Sequence, residues 1–200
     1  MTVTVTLAIE DVLSEAIAKK VVSATNPDLI IDQVIGNQGF GYLKNKIRAL
    51  NHAAHNGVVT IMVADLDDAE CPARLREEWL KGEMHPNLVF RVAVREIEAW
   101  LLADHEGLAD FLSIPRGRIP QVVDEIPNPK QLIVNLARRS RKSWLKKALV
   151  PSNGSSSSVG AEYNNCLLSF IRDDWSLHRA RARSESLNRA FFALQRFRPS

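Results

Sequence analysis

The chain has 200 residues, 46% hydrophobic and 24% charged, with a formal net charge of +3, an ordinary balance for a globular protein. No apolar run approaches the ~20 residues that a membrane helix needs, and the start of the chain lacks the basic and long apolar regions of a signal peptide. Cys71 and Cys166 are too few for a disulfide scaffold and too far apart for a metal knuckle, and as reduced thiols they fit a cytosolic protein.

Residues 2–9 alternate Thr with Val and then turn apolar, which reads as a strand. It ends at Glu10-Asp11. Residues 12–22 place Val12, Leu13, Ala16, Ile17 and Val21 at helical spacing. Glu10 and Asp11 therefore stand at a strand-to-helix turn, where capping the helix is a sufficient account of both. Residues 28–35 form a second strand. The turn Gly36-Asn37-Gln38-Gly39-Phe40-Gly41 and a helix over 42–55 follow. Gly36 and Gly41 have P-loop spacing, but Tyr42-Leu43 stands where Lys-Ser/Thr is needed, and G-x-G-x-x-G is absent. Gly36 and Gly39 read as a tight turn near the active edge, not a nucleotide fingerprint.

Residues 58–64 are an unbroken run of apolar or β-branched residues, the pattern of a strand buried on both faces in a parallel sheet. Asp65-Leu66-Asp67-Asp68 follows it. Asp65 and Asp67, two apart in an extended chain, point the same way. Two carboxylates facing one point repel unless a cation lies between them, and Mg²⁺ or Mn²⁺ suits oxygen ligands. A solvated strand end with turn-forming aspartates is the plainer account. A helix over 71–80 opens with Pro72. Residues 88–94 form a fourth strand that gives way to Arg95-Glu96-Ile97-Glu98 and a helix containing Trp100. The alternation implies an α/β fold, a mostly parallel sheet flanked by helices. Three of its strands end in acid.

Beyond Asp104 the character changes. Residues 1–110 carry 10 Lys+Arg against 17 Asp+Glu, and residues 111–200 carry 16 against 6. The expected division is a metal-binding core over 1–110 and a basic, mainly helical region over 111–200 packed on it. Residues 114–129 are Pro-rich and loop-like. A single basic helix is expected over 131–149, carrying Arg138, Arg139, Arg141, Lys142, Lys146 and Lys147, which would neutralise the phosphates of a nucleic acid. A solvated helix face is the alternative. Residues 151–160 include four consecutive serines and should be flexible. Amphipathic helices are expected over 162–175 and 184–197, the second capped by Ser184.

Glu10 after the first strand, Gly36 and Gly39 after the second and Asp65-Leu66-Asp67 after the third resemble a Toprim domain, the metal-dependent fold of topoisomerases, primases and OLD-type nucleases. The whole chain more closely resembles a family of small bacterial Toprim-like proteins often encoded beside ABC-type ATPases. The stretches 10–15, 63–67, 96–104 and 128–130 carry that likeness. Asp11 stands where many Toprim domains have Gly. The resemblance implies that Asp65 and Asp67 hold Mg²⁺ or Mn²⁺, with Glu10 a further ligand or general acid/base and Glu98 nearby, and that Lys130 assists at the phosphate. It implies metal-dependent phosphodiester hydrolysis of DNA or RNA beside a partner ATPase in anti-phage defence. The nucleophilic tyrosine and clamp of a topoisomerase, and the nucleotide-binding machinery of a primase, are missing. Two rivals are a non-catalytic docking or regulatory partner of the ATPase and a receiver-like phosphotransfer domain.

Overall fold

The computed structural model describes residues 2–39 and 41–200; Met1 and Phe40, the latter within the glycine-rich turn, lie outside them. The chain forms two compact units, Met1–Val94 with Asn188–Ser200, and Arg95–Leu187. The change of charge near residue 110 thus falls inside the second unit.

In the first unit, β1 (Val3–Ile9), β2 (Leu29–Gly36), β3 (Val59–Asp65) and β4 (Leu88–Ala93) form an all-parallel sheet in the order β2-β1-β3-β4. The helices α1 (Val12–Thr25), α2 (Tyr42–His55) and α3 (Pro72–Trp79) alternate with the strands, giving a Rossmann-like α/β architecture. All seven residues of β3 are buried, as a strand covered on both faces requires. On one face Met62, Ala64, Leu88 and Phe90 join Leu43 and Ile47 of α2 and Leu75 of α3; burying one side chain of the size of Phe90 contributes roughly 2–3 kcal/mol. The Asp11 carboxylate accepts the Ser14 N–H at 2.8 Å and so caps α1. Such caps are worth about 1 kcal/mol, and the plain account of Asp11 is correct. Pro72 opens α3 as expected.

The β1–β2 register shifts once. Val5 pairs with Ile31 and Thr6 with Gln33, which leaves Asp32 as an extra residue, a bulge. The pairing ends with Ile9 opposite Gly36. Gly36 has φ +129°, and a Cβ there would sit 1.7 Å from the Ile9 carbonyl oxygen. Only glycine allows this close approach.

The second unit contains α4 (Ile97–Ala103), α5 (His105–Leu112), α6 (Pro129–Ala137), α7 (Ser143–Leu149), α8 (Tyr163–Asp173) and α9 (Leu177–Arg181), and the first turn of α10 (Glu185–Arg196). Every residue of α4 is buried. At its end the Asp104 carboxylate, fully buried, accepts from Arg179 Nε at 2.6 Å and Nη2 at 2.8 Å, and from the N–H groups of Gly107 and Ser176 at 3.1 and 2.7 Å. A buried charge needs this degree of satisfaction. Ser184 caps α10 as expected: its hydroxyl accepts the Leu187 N–H at 3.1 Å and donates to Asp124 at 2.8 Å.

The expected single basic helix over 131–149 is instead two helices, α6 and α7. The chain leaves the first through turns closed by Arg139 N–H to the Leu136 carbonyl and Ser140 N–H to the Ala137 carbonyl. The buried Ser140 hydroxyl then accepts the Lys142 N–H at 3.0 Å. Serine side chains compete with helical bonding in this way. Among the described residues, no helix is long and apolar enough to cross a membrane.

Candidate functional site

The strand order reverses between β1 and β3: the chain moves outward from β1 to β2, then returns to the other side of β1 for β3 and β4. In open α/β sheets the crevice at the carboxyl ends of the strands beside such a reversal is where ligands bind. Two of the expected acids lie there. Backbone pairing of β1 with β3 runs to Ala8 opposite Met62. Beyond it the half-buried Glu10 side chain takes over as acceptor, its Oε1 3.3 Å from the backbone nitrogen of Asp65. Asp65 is the last residue of β3 and is only 8% exposed. Gly36, at the end of β2, holds the last residue of β1 from the other side.

Asp67 is placed differently from the extended i, i+2 geometry. Leu66 continues the ladder, donating its N–H to the Ala93 carbonyl at 2.9 Å, and its side chain is buried. The chain then turns, with Ala69 N–H on the Leu66 carbonyl at 3.0 Å and Asp67 at φ +48°. This is a left-handed conformation that Asp tolerates better than most residues. Asp67 lines a cleft of about 200 Å³ with Lys44 and Trp79, and Lys44 is ion-paired with Glu78. Gly39, at φ +75°, has open space around it, so it serves the turn's conformation alone.

Glu10 and Asp65 offer oxygen donors only, which suits a hard divalent cation. Mg²⁺ is commonly held by one or two carboxylates, with substrate phosphates and water completing its shell. Among the described residues no three His, Cys, Asp or Glu side chains are grouped to hold a metal ion by themselves.

Glu98 and Lys130 belong to the second unit and form a cluster there. Glu98 is fully buried in the first turn of α4. The Lys130 ammonium lies 3.6 Å from Glu98 Oε1 and 3.9 Å from Glu96 Oε1. The Lys130 backbone N–H donates to Glu96 Oε2 at 2.9 Å, and the Tyr163 hydroxyl lies 3.3 Å from Glu98 Oε1. Glu96 and Tyr163 are not among the site residues expected from the sequence. The Glu-x-Glu spacing was the available signal for the first; nothing marked the second, since Tyr163 looks like one more apolar residue of α8.

Of the basic residues, Arg138, Arg139, Arg141, Lys146 and Lys147 are exposed. Lys142 is committed elsewhere. Its ammonium donates to the carbonyls of Asp110 and Phe111 at 3.3 and 2.8 Å, at the end of α5, and stands 5.9 Å from the centre of the Phe111 ring. There it complements the negative end of a helix. Burial pushes the His105 imidazole below its ordinary value, and Arg183 adds to this; a hydrogen bond to the Pro120 carbonyl and the Asp104 charge oppose it.

No curated protein and no solved structure matches the chain. Residues 4–191 match the family described as a domain of unknown function, DUF4276, and the chain belongs to that family.

Proposed function

We propose that this protein is a Mg²⁺- or Mn²⁺-dependent nuclease of the Toprim kind, hydrolysing phosphodiester bonds of DNA or RNA in the cytoplasm, and that it works as an effector with an ABC-type ATPase in anti-phage defence. The observation that carries the reading is the meeting of Glu10 with Asp65 at the reversal of strand order, the position where open α/β sheets bind ligands.

In this reading Asp65 and Glu10 hold the cation, and Asp67 supplies a further carboxylate from the turn. A divalent ion bound there would polarise the phosphoryl oxygens and lower the pKa of its water. Glu10, half-buried beside Asp65, is the residue to move a proton from the attacking water. In the second unit, Lys130, held by Glu96 and Glu98, is the residue that would assist at a phosphate. The exposed cations over 138–147 neutralise backbone phosphates.

The test is cleavage of labelled DNA and RNA with Mg²⁺ or Mn²⁺, with and without the partner ATPase, by wild type and Asp65→Asn. Metal-dependent cleavage lost in the variant supports the reading. Wild-type protein that binds the ATPase and cleaves neither polymer under any of these conditions would make it a docking partner instead.

A further inference from the structure

Tryptophan is normally accounted for by a core. Trp100 and Trp175 are 1% and 3% exposed, but Trp144 is 57% exposed. It sits in the first turn of α7, whose other apolar residues, Leu145, Ala148 and Leu149, are buried. The chain around it presents Arg138, Arg139, Arg141, Lys146 and Lys147, all exposed. Three other cations of the same unit are paired with acids: Arg116 with Glu106, Arg172 with Asp173, Arg179 with Asp104. Among the described residues none of the five around Trp144 has an acid within ion-pair distance.

Leaving a large indole in water forgoes its burial energy, and leaving five like charges together adds repulsion. One class of ligand offsets both costs: a polyanion whose repeating unit also offers a flat apolar face. We infer that residues 138–147 bind a single-stranded nucleic acid, with an unpaired base stacked on Trp144 and the flanking phosphates held by the arginines and lysines. Stacking on aromatic side chains is how sequence-tolerant single-strand binders gain affinity. In a duplex both faces of each base are already covered, so the indole has nothing to stack on. A lipid surface fits less well, because an interfacial helix needs a broad exposed apolar face, and α7 exposes one aromatic side chain above a buried stripe. The inference rests on the nucleic-acid reading above and narrows the substrate to a strand with unpaired bases.

The test is fluorescence anisotropy in EDTA with labelled oligo(dT), oligo(rU) and a duplex, using the full chain and its Trp144→Ala and Trp144→Phe variants. Trp144→Ala is expected to weaken single-strand binding roughly five- to hundredfold, to leave duplex binding unchanged, and to be largely rescued by Trp144→Phe. The dT and rU arms report whether the sugar matters. Circular dichroism should not move, since Trp144 fills no core site. Equal losses on strand and duplex, or no loss on either, would overturn the inference. So would wild-type binding to phosphatidylserine vesicles with neither oligonucleotide bound. EDTA separates this from hydrolysis: Trp144-dependent binding without Mn²⁺-dependent cleavage, whether or not the partner ATPase is present, sinks the nuclease reading alone, and cleavage with Trp144-independent binding sinks this inference alone.

Discussion

Glu10 Oε1 accepts the backbone N–H of Asp65 at 3.3 Å. A side chain thereby continues the β1–β3 ladder past the last backbone pair, and two acids far apart in sequence are tied together beside the reversal of strand order.

If those carboxylates hold a cation, wild-type protein should melt higher in millimolar Mn²⁺. Saturation a hundredfold above the dissociation constant adds about 2.7 kcal/mol, or roughly 5–10 °C for a chain of this size. Asp65→Asn keeps the shape and removes the charge, so its melting should be indifferent to Mn²⁺, and Asp67→Asn should show a reduced response. A wild-type melt that ignores the ion, or an Asp65→Asn variant that gains as much as wild type, would return Asp65 and Asp67 to the role of turn-formers.

Gly36→Ala should disturb the same site without touching a carboxylate. The added Cβ cannot coexist with the Ile9 carbonyl, so the end of β1, and Glu10 with it, must move. A loss of about 2 kcal/mol or more is expected from strain and overpacking, with weakened Mn²⁺ stabilisation. Gly39→Ala, which meets only its own positive φ, should cost about 1 kcal/mol and leave the metal response intact. Denaturant titrations with and without Mn²⁺ distinguish the two.

The basic residues should separate into two kinds. Replacing Arg138, Arg139 and Arg141 together by Ala should flatten the salt dependence of nucleic-acid binding by about two units of slope, on the order of 0.7–0.9 per phosphate contact. Lys142→Ala should leave the slope alone and instead destabilise the protein by roughly 1 kcal/mol, because it uncovers the carbonyls at the end of α5. A slope change on Lys142→Ala would show that its ammonium leaves Phe111 for the polymer.

His105 makes stability depend on pH in a predictable direction. Arg183, Asp104 and the Pro120 carbonyl face it, and burial lowers its folded pKa. The unfolded chain then binds the proton more readily, so the stabilisation from a neutral His105 is complete above the unfolded value of about 6.5 and is lost as pH falls toward the folded one. Between about pH 7.5 and pH 5, wild type should lose more melting temperature than His105→Gln, which shares every carboxylate with it. Parallel curves would mean that His105 takes up its proton without cost.

The strands were legible because a parallel sheet buries both faces and leaves near-continuous apolar runs, as in residues 58–64 and 88–94, broken only by Thr60 and Arg91. The strand order was not, since nothing local in β3 says that it pairs with β1. It is that order which turns Glu10 and Asp65 from two strand-end acids into neighbours. The extended geometry expected from Asp65 to Asp67 ends at Leu66, because Asp67 takes a left-handed conformation, and the i, i+2 rule holds only while the chain stays extended. The break between α6 and α7 was hidden for a similar reason: Arg and Lys favour helices, and the decisive bond, Ser140 to Lys142, forms only once Ser140 is buried. Trp144 drew no notice because exposure of a tryptophan leaves no trace in spacing.

The bulge at Asp32 makes the β1–β2 pair tolerant of deletion. The offset between paired residues steps by one there, so a chain lacking Asp32 can run in unbroken register with Ile9 still opposite Gly36. Loss of Gln33 or Val34 can be absorbed as well, by smoothing the bulge, though at the cost of turning a different side chain inward. The glycine contact that anchors the end of β1 is therefore insulated from changes of length upstream in β2, and natural variation in this strand should show gaps at Asp32 more often than at Ile35 or Gly36.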